Sequence, residues 1–188
     1  FKKKERKSYE NSNFVKRKKM NKRIEAALND QVEKEASSSQ LYLSMASWAE
    51  NQGLNGTAKF LYTHSEEERF HMLKLVRFVN ERGGSAIVPG LKSPQKKFKS
   101  VEKIFQLILE HELLVTKSIN NLVDVCLQEK DYTTHNFIQW YVSEQLEEEA
   151  LARTILDKIK LIKGDSAGLY LFDRDLENSA IQPQQQKQ

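Results

Sequence analysis

The chain has 188 residues, 30 Lys or Arg against 26 Asp or Glu, seven Gly, three Pro and a single Cys. This length suits one domain with a sizeable core, and so few helix breakers argue against a sheet-based fold. The lone Cys126 excludes an internal disulfide, and no apolar run is long enough to cross a membrane. A soluble all-α protein of a reducing, cytoplasmic compartment is the expectation.

The net charge of +4 is unevenly distributed, because residues 1 to 19 hold nine Lys or Arg and only two Glu. This stretch has no apolar run, and helical periodicity begins directly after Met20. It reads as a disordered basic leader, with Met20 as the natural start. The leader is either an artefact of expression or translation, or an arm that touches nucleic acid. Its lack of interleaved aromatics disfavours the arm, and its polarity excludes a secretory signal.

Apolar residues then recur at helical spacing in four long segments. The first runs from about Asn21 to Glu50 with Ile24, Leu28, Val32, Leu41, Met45 and Trp48 on its stripe, and Asn51 to Gly56 breaks it. A second helix runs to Arg82 and stops at the paired Gly83 and Gly84, so the first two helices should be antiparallel neighbours. A third starts after Ser100, an N-cap with Glu102 in the first turn, and runs to about Glu129. Lys130 to Thr134 reads as a turn. The fourth helix carries Phe137, Trp140, Tyr141, Ile155, Ile159 and Ile162 and stops before Gly164.

Residues 84 to 100, with Pro89, Gly90 and Pro94, show no helical period. Extended at about 3.3 Å per residue, these positions reach roughly 56 Å. A helix of about 28 residues is only about 42 Å long. The segment is therefore a crossover along the whole bundle that makes helices two and three parallel. A short fifth helix, Ser166 to Asn178, uses Leu169, Leu171, Phe172 and Leu176 as its apolar set. The domain is expected to span 20–179, with 180–188 a disordered tail.

Polar residues inside this pattern carry the chemistry. Glu68 and His71, three apart on one helix, share a face, yet that spacing alone is common. The stronger signal is an internal near-repeat: adding 77 to Glu35, Glu68 and His71 gives Glu112, Gln145 and Glu148. In each half one helix supplies a carboxylate, and 33 residues later the next supplies a pair three apart. Carboxylates with one imidazole suit iron or manganese, not a thiolate-rich structural zinc. Four buried glutamates without cations would repel one another and lose hydration at several kcal/mol each, on the order given for buried ions.

The triplets Glu66-Glu67-Glu68 and Glu147-Glu148-Glu149 read by default as solvated faces. At about 100° per residue, however, one member of each turns inward. Glu68 and Glu148 take that role here. Glu67 and Glu144 also differ by 77, and with Glu147 they are candidates for a flanking third metal site. Tyr42, two turns after Glu35, is placed either in the core or beside the metal cluster. His64 and His111 read as surface or interface residues, His135 as near the start of helix four, and Cys126 as a small buried hydrophobe.

From Met20 to Ser179 the chain resembles the bacterial non-haem ferritins. The resemblance rests on Glu35 with Tyr42, the run from His64 to His71, Glu112, and especially Asn136 to Glu149. It implies a ferritin-like four-helix bundle with a long crossover and a short fifth helix. It also implies a two-iron ferroxidase centre of Glu35, Glu68, His71, Glu112, Gln145 and Glu148 near Tyr42, and a third iron site using Glu67, Glu144, Glu147 and Glu148. Twenty-four subunits would form a hollow homo-oligomeric shell that stores ferric mineral, with ferrous iron and dioxygen or hydrogen peroxide as substrates. Bacterioferritins differ by a second Glu-x-x-His and a haem-binding methionine after the second-helix Glu. This chain has Gln145-x-x-Glu148 and Arg69 at those positions, so haem is not expected. The rival readings are a di-iron oxidase or peroxidase without a shell, and a DNA-binding miniferritin, which lacks the fifth helix. Neither membrane nor nucleic acid is an expected partner.

Overall fold

The computed structural model describes residues 19–162 and 164–179. The expected leader, apart from Lys19, and the expected tail lie outside them. Among the described residues the structure is all-helical: α1 (Lys22–Asn51), α2 (Asn55–Glu81), α3 (Val101–Gln128), α4 (Tyr132–Ile162) and α5 (Ser166–Ser179). No helix among them is long and apolar enough to cross a membrane.

Helix ends follow local chemistry. Asn21 caps α1, its side-chain oxygen accepting from the Arg23 and Ile24 amides, and Ser100 caps α3 by accepting from Lys103 N at 3.2 Å. Gly53 and Gly83, with φ of 75° and 78°, take the left-handed turn that closes α1 and α2. Lys130 does the same after α3 at φ 52°, without glycine's freedom. The turn expected over Lys130 to Thr134 is shorter than the residue types suggest. Asp131 accepts from Thr134 N at 3.1 Å and from its hydroxyl at 2.9 Å, so Tyr132, Thr133 and Thr134 already belong to α4.

Helices α1 and α2 pack as an antiparallel pair, α3 and α4 as another, and α1 meets α3 across the bundle. Arg23 at the start of α1 bonds Gln128 and Glu129 at the end of α3, which sets those two antiparallel and α2 parallel to α3. The crossover runs the length of α1. At one end Ser85 N donates to Glu25 and Ile87 N to Asn29; at the other Ser44 donates to Gln95 O and Phe98 packs on Trp48. From Glu25 to Trp48 is roughly 35 Å of helix.

Helix α5 closes one end of the bundle through Phe172 and Leu176, with Phe172 edge-on to Phe105. Leu171, expected in its apolar set, faces solvent, because a 100° helical step turns it away from Phe172. Asp173 accepts from Gly56 N at 3.0 Å, Thr57 N at 2.7 Å and the Thr57 hydroxyl at 2.7 Å, capping α2 from outside its own sequence.

The apolar core is split in two. One half gathers Met45, Leu61, Ile104, Phe105, Ile155 and the α5 contacts; the other gathers Ile24, Leu28, Val32, Leu75, Ile119 and Ile138 with Cys126. Between them lies a buried polar belt of Gln31, Glu35, Ser39, His64, Ser65, Glu68, His71, Glu112 and Gln145.

Candidate metal centre

The four long helices each send polar side chains into this belt. Glu35 comes from α1, Glu68 and His71 from α2, Glu112 from α3, and Gln145 and Glu148 from α4. Helical spacing does this work: the pairs three apart on α2 and α4 stack on one face, and the single carboxylates on α1 and α3 complete the ring.

One donor group combines Glu35, Glu68 and His71, all buried. His71 Nδ1 lies 3.8 Å from a Glu35 oxygen and 3.7 Å from a Glu68 oxygen. These gaps are too long for hydrogen bonds, yet shorter than the roughly 4 Å that two metal–ligand bonds can span. Gln31 donates to the other Glu35 oxygen at 2.8 Å, and Ser118 in turn holds Gln31 at 2.7 Å. On the opposite side Glu112 accepts from the Tyr42 hydroxyl at 2.8 Å and from the Gln145 amide at 2.9 Å. Tyr42 is thus both a core residue and a partner of the cluster. The Trp140 ring packs edge-on against the His71 ring, and the Tyr141 hydroxyl donates to the His71 carbonyl at 2.8 Å.

The electrostatics are those of too much negative charge in too little water. Burial first, then the adjacent Glu68 carboxylate, raises Glu35 well above the usual carboxylate range. Burial and Glu112 do the same to Glu68. Glu112 is pushed up to about 7 by burial and Glu148, and Glu148 to about 7 by burial and Glu67. Tyr42 is likewise raised by burial and by Glu112. Cations entering the belt would relieve these costs together.

The triplets fan out as their helical step dictates. Glu66 is exposed, Glu67 intermediate and Glu68 buried, while Glu147 is exposed and Glu148 turns inward. Glu67 and Glu148 come together, and Glu144 and Glu147 stand near enough to Glu148 to raise its pKa further. The third member of that second donor group is His64, which the sequence placed at the surface or at an interface. It is 5 % exposed, its ring lying 3.9 Å from Phe60 and 5.7 Å from Tyr42. Its helical register, seven before His71 and four before Glu68, was the available signal. His111, also expected at the surface or at an interface, is half-buried with Nε2 2.6 Å from the Ser38 hydroxyl. His135 lies in the first turn of α4, as expected, and Cys126 is fully buried, its thiol pushed up to about 11 by burial. Arg69 is exposed.

Comparison with known proteins agrees with this architecture. The family model described as a ferritin-like domain matches residues 25–162. A probable bacterial non-heme ferritin-like protein of Haemophilus influenzae is 47 % identical over 151 residues, covering 80 % of this chain and 92 % of that protein. A bacterial non-heme ferritin of Campylobacter jejuni is 46 % identical over 162 residues, covering 86 % and 97 %. Among solved structures, an open-pore ferritin of Archaeoglobus fulgidus superposes with a TM-score of 0.83 at 40 % identity, covering 84 % of this chain and 96 % of that one. Sequence, helix order and fold together make this chain a member of the ferritin family, similar to the bacterial non-haem ferritins.

Proposed function

We propose that this chain is a subunit of an iron-storage shell whose bundle interior oxidises ferrous iron. The observation that carries the proposal is the closure of Glu35, Glu68 and His71 into one buried donor group, facing Glu112 and Gln145 across the same belt. Two Fe(II) ions fit this ring as substrates, with Glu68 bridging, His71 and Glu35 on one ion, and Glu112, Gln145 and Glu148 on the other. Each ion gives up one electron, and dioxygen takes both with two protons to become hydrogen peroxide, so no radical leaves a lone iron. Hydrogen peroxide can itself serve as the oxidant. Tyr42 orients Glu112 through its hydroxyl. Gln145, a neutral and weak ligand, leaves the second ion easy to release, which suits a substrate that must move on to mineral. Glu67, Glu144, Glu147 and Glu148 take a third ion. Haem has no part in this scheme, and the protein works in the cytoplasm.

The test is to add Fe(II) aerobically to the purified chain while following particle size and absorbance. Storage requires a particle of several hundred kilodaltons, as 24 chains of 21.9 kDa would give, with an electron-dense core. A monomer or dimer that oxidises iron would instead be a di-iron oxidase or peroxidase. Crystals soaked in ferrous salt should show two ions within about 4 Å of each other. Anomalous density confined to surface carboxylates would rule out the centre.

A further inference from the structure

Glu67 Oε2 and His64 Nε2 are both buried, and neither has a hydrogen-bond partner. They face each other at 3.8 Å, and His64 Nε2 lies 3.9 Å from a Glu148 oxygen. An orphaned buried nitrogen and an orphaned carboxylate oxygen are each costly when nothing occupies the space between them. The separations are too long for hydrogen bonds, and two metal–ligand bonds of about 2.0–2.1 Å can bridge them. The ring is fixed from behind. His64 Nδ1 is 2.9 Å from the Phe60 carbonyl, which accepts its N–H and leaves the lone pair on Nε2. Phe60 and Tyr42 flank the imidazole and restrain its tilt.

We infer that His64 supplies a nitrogen ligand to the third ion, together with Glu67 and Glu148. This deepens the proposed function and rests on it, since Glu148 also faces the two-iron ring. It changes the chemistry of the flanking site. A carboxylate-only cluster takes hard cations with little selectivity, whereas an imidazole with carboxylates favours borderline ions such as Fe(II) and Zn(II) over Mg(II) and Ca(II). Glu144, half-buried, and Glu147, exposed, then complete the third ion's ligands from the solvent side, while the selectivity lies deeper at His64. His64 also touches Tyr42, itself bonded to Glu112, so an ion held at His64 sits one side chain from the oxidation centre.

Zinc is the probe, because it is redox-silent and its bonds to nitrogen have a defined length. In crystals of the full-length assembled protein soaked in Zn(II), the third anomalous peak should lie about 2.0–2.1 Å from His64 Nε2. A third peak held by carboxylates alone, more than about 3 Å from that nitrogen, overturns the assignment. This reading needs no variant. In solution, His64→Phe keeps a ring between Phe60 and Tyr42 but offers no lone pair. It should lower Zn(II) affinity at the third site by at least about tenfold, while the paired peaks at Glu35, Glu68 and His71 persist. Unchanged third-site affinity overturns the assignment. Absence of the paired peaks from the parent protein would instead refute the two-iron centre, a separate result from the position of the third peak.

Discussion

Burial, with Glu148 beside Glu112 and Glu67 beside Glu148, holds both carboxyls near 7 instead of the ordinary 4.5. In the unfolded chain these groups ionise near the ordinary value, so between about pH 4.5 and 7 the folded state binds more protons than the unfolded state. Metal-free protein should therefore lose stability as pH rises through that window. Thermal unfolding in chelator across this range should show Tm falling; with saturating Zn(II) the fall should shrink, since cations replace the protons. A chelated sample whose Tm climbs over the same interval would refute this account. Among single substitutions, Glu68→Ala removes the proposed bridge, and stopped-flow oxidation should lose its fast phase by at least about tenfold. Glu144→Ala should spare the first turnover and change how many irons are oxidised per dioxygen. Equal damage from both would move Glu144 into the primary pair.

At the scale of elements, the joints are as specific as the site. A Cβ on Gly56 would lie 1.8 Å from the Asp173 carbonyl oxygen, which is backbone and has no room to yield. Gly56→Ala should push α5 off the end of the bundle and lower stability by about 1–3 kcal/mol, the usual cost of overpacking. Asp173→Ala, which removes the acceptor for three donors at the start of α2, should cost about 1–2 kcal/mol. Lys130→Gly should act in the opposite sense, relieving a left-handed residue and stabilising by about 0.5–1 kcal/mol in chemical denaturation.

These joints also show where the sequence was legible. The four long helices and the crossover follow from helical periodicity, a local pattern, and the near-repeat at 77 residues marked the polar side chains from Glu35 to Glu148 that the four helices turn toward one belt. His64 was misplaced although its register on α2 pointed inward, because the partner that makes it a ligand candidate, Glu148, comes from α4, distant in the chain. Asp131 and Asp173 were missed for a related reason. Each caps a helix, but one lies inside an apparent turn and the other is over a hundred residues from the amides it accepts. Leu171 was misassigned because a short helix offers too few apolar positions to fix its buried face.

For the whole molecule, the surface is the main remaining guide to assembly. Ile87 and Val88 on the crossover are largely exposed, Val88 at 82 %, and Leu114, Leu146 and Tyr170 stand out on other faces. A proposed shell would cover such residues between subunits. Val88→Asp should therefore shift the particle toward smaller species in sedimentation velocity while leaving helix content unchanged. An unaltered particle would place the crossover outside the subunit contacts.

The polar belt that divides the core has a further consequence. Because Glu35, Glu68, His71, Glu112 and Gln145 separate two apolar halves, the metal-free bundle should have its weakest layer there, where crowded acids are held by hydrogen bonds from Gln31, Tyr42 and Gln145. Each half can then open as its own cooperative unit. Amide protons near the belt should exchange sooner in metal-free protein than those deep in either half. Ions seated in the belt would rivet all four helices together, and the two exchange rates should converge as the ring fills.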